Sequence, residues 1–336
     1  MTDRLWIVLV NYNGLDDTRR CLQSLVVQTV PVSIVVVDNA SRVDPAGVLA
    51  SEFPGVEFIQ TGCNGGWAGG NNAGLRHALA RGARLIVLLN NDTVVSENFA
   101  ARLLAATRQF PEYGILGPII RYMDPPWEVQ TDGVVFNRPG RPGFFQRFVV
   151  PVTATDPPTI AEVDIVNGCC LLVRREVVEK IGFIDEAFFL IHEESDFCLR
   201  AQDAGFKNGV IAEALVWHKG SSSFQREGKR LQRYFDARNL IRLLSRHGHR
   251  SGSRGWWRSI LHHVHYSYHR YSAERERGYP DSAKAVLEGL YDGLIGRYGP
   301  TPTAATRAGL WLLQAIFAGA WWLKRGRIGV DPITPS

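Results

Sequence analysis

The sequence predicts an α/β fold, in which a mostly parallel sheet is flanked by helices and followed by a helical C-terminal extension. In the first half of the chain, short apolar runs rich in Val, Ile and Leu alternate with segments of helical periodicity. The runs are continuous, which is typical of strands that are buried on both faces of a parallel sheet. From about Arg230 the chain becomes helical in pattern, basic and aromatic.

Four strands are predicted in the first half, each at one continuous apolar run. They cover residues 6–10, 33–37, 56–60 and 85–90. A first helix is capped by Asp16 or Asp17, and a second covers residues 75–81. The first helix turns three side chains inward, Cys21, Leu22 and Leu25. Strand and helix in this order imply right-handed crossovers and a sheet that resembles half of a Rossmann fold.

Proline and glycine increase between Met123 and Thr159, which predicts loops and short strands over a site. Regular secondary structure is predicted again from about Val163. The later elements are a strand over 167–173, a helix over 175–181, a helix over 194–204 and a strand over 210–216. We therefore divide the chain into a first domain, 1–229, with halves of about 1–120 and 121–229, and a helical region, 230–336.

The composition is that of a globular protein, since 45% of the 336 residues are hydrophobic and 21% are charged. The five cysteines include no CxxC pair, which disfavours a zinc or redox site. The short apolar run near the N-terminus lacks the features of an export signal. An odd number of cysteines without such a signal indicates the reducing cytoplasm.

The C-terminal region is basic and ends in an apolar segment. Residues 226–277 contain 13 Lys and Arg against 4 Asp and Glu. This excess favours a phospholipid, a lipid-linked diphosphate or a nucleic acid as partner, unless it is only a solvated helical face. In residues 309–323 only Gln314 is polar, and these 15 residues are too few to span a hydrocarbon core of about 30 Å. The segment, followed by Lys324 and Arg325, predicts an interfacial helix with Trp anchors or, alternatively, a core-packing helix.

Polar clusters follow three of the predicted strands: Asn11 to Asn13, Asp38 to Ser41, and Asn90 to Asp92. Because the C-terminal ends of parallel strands meet at one edge of the sheet, we expect the clusters to converge there, where open α/β sheets bind ligands. Asp38 can accept a hydrogen bond from a pyrimidine ring or a ribose hydroxyl. Asp92 can hold a divalent cation with phosphate oxygens, although a helix cap is the alternative for this residue.

A glycine-rich segment, residues 62–74, follows the third predicted strand. Glycines let the backbone approach a ligand closely. The segment is not a dinucleotide-binding loop placed directly after the first strand, and it lacks the Lys-Ser/Thr of a P-loop. We expect it to be a loop that enters a helix from Gly74, whose N-terminus favours an anion.

Three carboxylates crowd the start of the later helix: Glu193, Glu194 and Asp196. Repulsion among them raises the pKa of one, which suits a general base, although the helix macrodipole alone is an alternative explanation. Arg200 is placed to pair with Asp196 one turn away. His218 ends the last predicted strand, where it completes a metal shell with Asp92 unless it is only structural.

With these motifs the chain resembles the inverting glycosyltransferases of family 2, which have the GT-A fold, and especially their non-processive, rhamnosyltransferase-like branch. The similar segments span about residues 5–245. In order they are VLVNYNG (8–14), VVVDNAS (35–41), NGGWAGGNNAG (64–74), LLNNDT (88–93), VNGCCLLVRR (166–175), FIDEAFFLIHEESDFCLRAQDAG (183–205), VWHKGSSSF (216–224) and a Tyr-Phe-x-x-Arg-Asn-Leu segment (234–240). The resemblance implies a nucleotide-binding half at about 1–120 and an acceptor half at about 121–229.

The resemblance implies a role for each matching residue at the donor site. Asp92 is the last carboxylate of the family's Asp-x-Asp motif, whose first position is Asn90 here, and would ligate Mg²⁺ or Mn²⁺. His218 would be a second metal ligand. Asp38 would contact the pyrimidine base. The nucleotide sugar as a whole would be bound by Asn11, Asn13, Asp38, Asn64, Gly65, Trp67, Asn71, Asn91 and Arg200.

The resemblance also implies the catalytic base. Glu194 aligns with that acid, in a pair that is often Glu-Asp in the family and is Glu193-Glu194 here. Asp196 is the alternative base. The QxxRW motif of processive enzymes is missing after His218, which indicates that the enzyme is non-processive.

These roles imply metal-dependent, inverting transfer of a sugar to a saccharide or polyprenyl-diphosphate-linked acceptor in cell-surface polysaccharide synthesis. We expect L-rhamnose from dTDP-rhamnose; another UDP-, GDP- or dTDP-hexose, or a non-catalytic nucleotide-sugar-binding protein, is the alternative. Nucleotidyl transfer is disfavoured because the loop after the first strand has no Lys or Arg before Arg19. We expect peripheral contact with the inner face of the plasma membrane and no nucleic-acid partner, and we leave a homodimer open.

Overall fold

The computed structural model describes residues 4–124, 128–131, 133–136, 145–147, 155–156, 158–220, 229–248, 253–300 and 309–327. The chain forms two compact units, Met1–Ser222 and Ser223–Ser336. The first unit contains the sheet. The described part of the second unit is helical.

The first unit contains twelve described strands and six described helices. The strands are β1 (Leu5–Asn11), β2 (Val32–Asp38), β3 (Glu57–Gln60), β4 (Leu85–Asn90), β5 (Thr93–Val95), β6 (Tyr113–Tyr122), β7 (Val129–Thr131), β8 (Val134–Phe136), β9 (Phe145–Arg147), β10 (Ile160–Val163), β11 (Cys170–Arg174) and β12 (Lys207–His218). The helices are α1 (Leu15–Leu25), α2 (Ala46–Glu52), α3 (Gly66–Ala80), α4 (Phe99–Gln109), α5 (Arg175–Ile181) and α6 (Glu193–Asp203). The strands and helices predicted from the sequence are all present, with ends that differ by a few residues apart from the start of α3.

The main sheet has the strand order β10-β12-β6-β11-β4-β1-β2-β3, with β5 added to β12 and β7 added to β6. Strands β1 to β4 pair in parallel, as predicted, and β12 is parallel to β6. The antiparallel strands β11 and β10 make the sheet mixed but mostly parallel. In the register, Asn11 lies opposite Asp38 and Val10 lies opposite Asn90, so the polar strand ends are level with one another.

The hydrophobic core surrounds the central strands, in agreement with their continuous apolar runs. In β1, Leu5, Ile7, Val8 and Leu9 are completely buried, because α1 and α3 cover the sheet. The three residues of α1 predicted to face inward, Cys21, Leu22 and Leu25, are buried as well. Asp16 and Asp17 lie in the first turn of α1, and Gly14, not an aspartate, occupies the cap position.

Helix α3 begins at Gly66, eight residues before the expected start at Gly74. The reason is packing: a Cβ at Gly74 would lie 2.1 Å from Val8 Cγ1, and one at Gly70 would lie 2.6 Å from Val10 Cγ1. These glycines therefore let a helix lie directly against β1, and most of the glycine-rich segment is helical. The prediction of a loop that extends to Gly74 was wrong.

Strand β6 was not predicted, although it runs through the centre of the sheet with its first eight residues buried. Its sequence, YGILGPIIRY, contains Gly and Pro, which normally argue against a central strand. Of the proline-rich stretch between Met123 and Thr159, the described residues include the short strands β7, β8 and β9, and residues 125–127, 132, 137–144, 148–154 and 157 lie outside the described residues.

The second unit contains the helices α7 (Lys229–His247), α8 (Ser253–Glu276), α9 (Pro280–Leu294) and α10 (Leu310–Arg327). Helices α7 and α9 pack closely, since a Cβ at Gly289 would lie 2.1 Å from Tyr234 O. Arg238 is fully buried in α7, where its guanidinium donates to Asn239 Oδ1 (2.8 Å) and Gly299 O (2.6 Å). Burial lowers the pKa of Arg238, and Tyr234 and Asp292 oppose that effect. No helix among the described residues is long and apolar enough to cross a bilayer.

The contact of α3 with β1 yields the first prediction. Gly74→Ala should lower the free energy of unfolding of the first unit by about 1–3 kcal/mol, because the new methyl group overlaps a buried side chain of a central strand. Urea denaturation followed by circular dichroism measures the change. Gly47→Ala in α2 is the control, because nothing lies within 4 Å of its added Cβ. Equal urea midpoints for the two variants would contradict the packing argument.

Candidate active site

A hydrogen-bonded cluster joins the ends of β1 and β2. Asn11 Nδ2 donates to Asp38 Oδ1 (2.9 Å) and to Ser41 Oγ (3.1 Å). Ser41 itself donates to the same carboxylate through its hydroxyl (2.6 Å) and its backbone amide (3.1 Å). Asn13, which is exposed, is attached to the cluster because its backbone amide donates to Ser41 Oγ (2.9 Å). The predicted residues Asn11, Asn13 and Asp38 therefore lie together.

The end of β4 is connected to this cluster through α1. Asn91 Nδ2 donates to Thr18 Oγ1 (2.8 Å), and Thr18 Oγ1 donates to Asn11 Oδ1 (2.9 Å). In this series of hydrogen bonds each side chain donates to the next, from Asn91 through Thr18 and Asn11, so that the series ends on the Asp38 carboxylate. Thr18 is fully buried, and sequence analysis missed it. The one feature of the sequence that could have indicated Thr18 is its place in the first turn of the helix that follows NYNG.

Asp92 and His218 are both buried and lie side by side. Strand β5 starts directly after Asp92, so the alternative that Asp92 caps a helix was wrong. The pairing of β5 with β12 places Thr93 opposite His218, and Lys219 N donates to Asp92 O (3.0 Å). His218 Nε2 consequently lies 3.0 Å from Asp92 Oδ1.

This pair fits a divalent cation. His218 Nδ1 lies 2.8 Å from Gln130 Oε1, and a neutral ring that donates from Nδ1 to this acceptor presents the lone pair of Nε2. Nε2 is buried, makes no hydrogen bond and lies beside the Asp92 carboxylate. An imidazole nitrogen and a carboxylate oxygen next to each other are ligand types that Mg²⁺ or Mn²⁺ accepts. The described residues contain no group of three or more His, Cys, Asp or Glu that could hold a metal, so further ligands would come from substrate or water.

The start of α3 is fixed against the ends of β2 and β4. Asn39 Nδ2 donates to Asn64 Oδ1 (3.1 Å) and Gly66 O (2.9 Å), while Gly65 N donates to Asn39 Oδ1 (3.1 Å). Trp67 Nε1 donates to Asn90 Oδ1 (3.0 Å). Asn71 is buried and donates to Trp67 O (2.9 Å). The structure thus places the four predicted residues Asn64, Gly65, Trp67 and Asn71 beside the other strand ends.

The acidic start of α6 reaches the same edge through Gly168. A Cβ at Gly168 would lie 3.2 Å from Glu194 Cβ and 3.3 Å from Trp67 Cζ2. Asn90 N, in turn, donates to Cys169 O (2.9 Å). Only Gly168 and the indole ring of Trp67 therefore lie between Glu194 and the end of β4. Sequence analysis did not single out Gly168, where an added Cβ would require its neighbours to shift by a few tenths of an ångström.

The two glutamates at this helix start differ in environment. Glu193 is 5% exposed, and its buried Oε2 makes no hydrogen bond. Burial, and to a smaller extent the charge of Glu194, raises the pKa of Glu193 well above its usual value. Glu194 is half-buried and accepts a hydrogen bond from Ser195 Oγ (3.1 Å). Glu193 is therefore the member of this pair that holds a proton more strongly than an ordinary glutamate.

Asp196 and Arg200 form the ion pair that their helical spacing predicts. Arg200 Nε donates to Asp196 Oδ2 (2.8 Å), and the other guanidinium nitrogens donate to Ile181 O (2.8 Å) and Phe183 O (2.9 Å). The Asp196 side chain is completely buried. These contacts give both residues a structural role, and the roles of Asp196 as alternative base and of Arg200 as ligand of the nucleotide sugar stay predictions.

Backbone strain is concentrated in the segments that build this edge. Among the described residues, the non-glycine residues with positive φ are Asn13 (53°), Ala40 (63°), Phe189 (65°), Ile191 (69°) and His192 (72°). Asn13 and Ala40 follow β1 and β2, and the other three precede the acidic start of α6. Residues in this conformation cost about 1–3 kcal/mol each and cluster at functional sites.

The buried glutamate yields a prediction of pH dependence. The folded protein keeps a proton on Glu193 above the pKa of about 4.3 of an unfolded chain, so folding takes up a proton. The free energy of unfolding of the wild type, relative to Glu193→Gln, should therefore fall as the pH rises above about 4.3, by at most about 1.4 kcal/mol per pH unit. Urea denaturation between about pH 4.5 and pH 8 measures this difference.

Glu179→Gln, which removes a carboxyl that is 62% exposed, is the matched control for this experiment. A difference between wild type and Glu193→Gln that stays constant across the pH range would show that Glu193 is not held in its protonated form.

Comparisons with known proteins identify the family of the chain. Residues 6–182 match the family model of glycosyl transferase family 2. The chain is 28% identical over 242 residues to the low-salt glycan biosynthesis hexosyltransferase Agl10 of Haloferax volcanii, which covers 71% of this chain and 75% of that protein. It is 28% identical over 281 residues to the N-acetylglucosaminyl-diphospho-decaprenol L-rhamnosyltransferase of Mycobacterium tuberculosis, which covers 78% of this chain and 89% of that one.

Among solved structures, the mannosyltransferase PcManGT from Pyrobaculum calidifontis, in complex with GDP-Man and Mn²⁺, has a similar fold. The TM-score is 0.52 at 16% identity, over 96% of this chain and 82% of that one. This likeness confirms the predicted GT-A fold, and the family model covers more than half of the chain. The protein therefore belongs to glycosyl transferase family 2 and is a glycosyltransferase of the hexosyltransferase type.

Proposed function

We propose that the protein is a metal-dependent, inverting and non-processive enzyme that transfers L-rhamnose from dTDP-rhamnose to a saccharide or lipid-linked saccharide. The observation that carries the proposal is the placement of Glu194 beside Gly168 and Trp67, next to the strand end that leads to Asp92. The proposed base and the proposed metal ligands thus belong to the same edge of the sheet, where nucleotides bind in α/β folds.

In the proposed donor complex, the nucleotide lies over the ends of β1 and β2. Asp38 accepts from the base, with a carboxylate already oriented by Asn11 and Ser41. Asn13, Asn64, Gly65, Asn71 and Asn91 surround the remainder of the donor. Because hydrogen bonds within the protein fix these groups before the donor arrives, little conformational entropy is lost on binding.

Asp92 and His218 would hold Mg²⁺ or Mn²⁺ next to the diphosphate of the donor. When bound, the cation neutralises the charge that develops on the leaving diphosphate. The hydrogen bond between His218 Nδ1 and Gln130 fixes the ring so that Nε2 points to the ligand position. Mn²⁺ in the PcManGT complex supports this choice of metal for the fold.

Glu194 is the proposed catalytic base, and its free carboxylate oxygen accepts the proton of the attacking acceptor hydroxyl. Burial raises the pKa of Glu193, which disfavours a second negative charge that would repel the diphosphate. Trp67 lies between Glu194 and Asn90, where its ring is placed to contact the sugar. Attack from the side of Glu194, away from the diphosphate, inverts the anomeric configuration.

The proposed identity of the sugar and of the acceptor is inferred from the names of the relatives. The Mycobacterium tuberculosis protein is, by name, an L-rhamnosyltransferase that acts on an N-acetylglucosaminyl-diphospho-decaprenol. A lipid-linked diphosphate acceptor also fits the excess of Lys and Arg in residues 226–277. Another nucleotide hexose is the alternative donor, since Agl10 is named only as a hexosyltransferase.

Substitution of the base tests the chemical step. Glu194→Gln should lower kcat by about 10²–10⁴-fold and leave the KM for the donor nearly unchanged, because the amide cannot accept the proton but occupies the same space. Release of dTDP from dTDP-rhamnose in the presence of acceptor and Mn²⁺ measures the rate. Glu179→Gln serves again as the control, and near-normal turnover by Glu194→Gln would show that another group is the base.

Substitution of the metal ligand tests donor binding separately. Isothermal titration with dTDP-rhamnose should show that Mn²⁺ strengthens binding to the wild type by at least about tenfold and has no effect on Asp92→Ala. Asp16→Ala, at a side chain that is 96% exposed, is the control. Binding of UDP-glucose or GDP-mannose in preference to dTDP-rhamnose would reassign the sugar, and an Mn²⁺ effect retained in Asp92→Ala would contradict the metal site.

A further inference from the structure

Helix α1, which the structure describes throughout, has four buried residues, and Thr18 is the one among them with a hydroxyl group. The other three are Cys21, Leu22 and Leu25, so the four follow the helical spacing i, i+3, i+4 and i+7 of a stripe that faces the core. All four are completely buried. Valine has nearly the shape of threonine and would fill this position of the stripe without burying a polar atom. Packing alone therefore does not explain the hydroxyl group of Thr18.

The hydroxyl group of Thr18 bonds outside its own helix. Threonine inside a helix often donates to a carbonyl oxygen three or four residues earlier, and Thr107 in α4 does so, since its Oγ1 donates to Leu104 O (2.9 Å). Thr18 Oγ1 instead donates to Asn11 Oδ1 (2.9 Å), at the end of β1, and accepts from Asn91 Nδ2 (2.8 Å), directly after β4. The hydroxyl group thus connects two strand ends of the candidate site.

Asn11 depends on this hydroxyl group for the partner of its amide oxygen. The Asn11 side chain is 1% exposed, and its amide nitrogen donates to Asp38 Oδ1 and Ser41 Oγ. A buried carbonyl oxygen without a donor is unfavourable. Without the hydroxyl group of Thr18, the Asn11 amide would turn toward another donor, and its bonds to Asp38 and Ser41 would weaken. Thr18 therefore holds the orientation in which Asn11 donates to Asp38.

The Asp38 carboxylate is the group that this orientation fixes. Its Oδ1 accepts two hydrogen bonds, from Asn11 Nδ2 and Ser41 Oγ, and its Oδ2 accepts one, from Ser41 N. Oδ2 thus has the larger capacity for a further donor. If the bond from Asn11 is lost, the carboxylate rotates more freely, and holding it against a ligand then costs conformational entropy.

We propose that Thr18 is a positioning residue for the nucleotide: its hydroxyl group orients the Asn11 amide, which orients the Asp38 carboxylate toward the base of the donor. Because it is completely buried, Thr18 does not touch the donor itself. The inference rests on the proposed role of Asp38 as the group that accepts from the base.

The effect of Thr18 falls on the base side of the site. On the other side, Asn91 is half-buried, and its amide nitrogen also approaches Gly14 O (3.4 Å), so it keeps a partner when the hydroxyl group is removed. Loss of the hydroxyl group should therefore weaken binding of the nucleotide and leave the chemical step unchanged.

Isothermal titration of the full-length protein with dTDP and Mn²⁺ tests the proposal. Thr18→Val should weaken dTDP binding by at least about tenfold, which corresponds to one hydrogen bond of a buried group. Thr18→Ser, which keeps the hydroxyl group, should stay within about threefold of the wild type. At saturating dTDP-rhamnose and acceptor, the kcat of Thr18→Val should stay within about twofold of the wild type, because the lost interaction acts on binding.

Thr107→Val is the matched control. It makes the same substitution at a helical threonine that is 4% exposed and whose hydroxyl group bonds within its own helix. This variant should bind dTDP as the wild type does. Circular dichroism establishes that each variant is folded, and Thr18→Ala provides a second removal of the hydroxyl group with the same expected loss. A fall in kcat as large as the rise in KM would show that Thr18 only maintains the fold, which contradicts the proposal.

A double-mutant cycle with Asp38→Ala separates this inference from the proposed function. Asp38→Ala alone should weaken dTDP binding by at least about tenfold, and adding Thr18→Val to it should cause less than about a twofold further loss, because Thr18 acts through Asp38. Unchanged dTDP binding by Thr18→Val, or its full effect in the Asp38→Ala protein, would overturn the positioning role and leave the role of Asp38 intact. Normal dTDP binding by Asp38→Ala would overturn the role of Asp38 in the proposed function, and the inference with it.

Discussion

The hydrogen bonds that join three strand ends are the constraint on which the site depends. Parallel pairing of β1 with β2 and β4 brings Asn11, Asp38 and Asn90 to one level, and the chain from Asn91 through Thr18 and Asn11 then ends on the Asp38 carboxylate. A hydrogen bond to a charged group contributes about 1.5–3 kcal/mol, and a buried carboxylate without such donors would be costly. The arrangement therefore fixes the donor side of the site before any ligand binds.

A different set of contacts positions Glu194, the proposed base. The antiparallel strand β11 is inserted between β4 and β6, so that Gly168, two residues before it, lies between Glu194 and Trp67. The segment before α6 has three non-glycine residues with positive φ, and Asn72 anchors it by donating to Ile184 O (2.8 Å) and accepting from Ile184 N (3.0 Å). The ion pair of Arg200 with Asp196 secures the same segment from α6. These contacts offset the backbone strain and hold Glu194 in place.

The repetitive features of the sequence predicted most of this fold. Continuous apolar runs located β1 to β4, and the polar residues after them located the edge at which hydrogen bonds join the ends of β1, β2 and β4. What the sequence did not reveal depends on contacts between distant segments. Strand β6 was missed because packing overrides its Gly and Pro, the start of α3 was misplaced because its glycines serve close packing on β1, and Thr18 and Gly168 have no local signal. Helical spacing did predict the pairing of Asp196 with Arg200, and the burial of that pair is what favours a structural role.

In the proposed enzyme, one edge of the sheet holds both the metal ligands and the base. A crystal structure of the protein soaked with Mn²⁺ and dTDP, with anomalous diffraction to locate the metal, tests this placement most directly. An anomalous peak is expected about 2.0–2.6 Å from an Asp92 carboxylate oxygen and from the diphosphate, with the thymine beside Asp38 and Glu194 facing the β-phosphate across Gly168. A peak away from Asp92, or a nucleotide bound elsewhere on the chain, would contradict this placement.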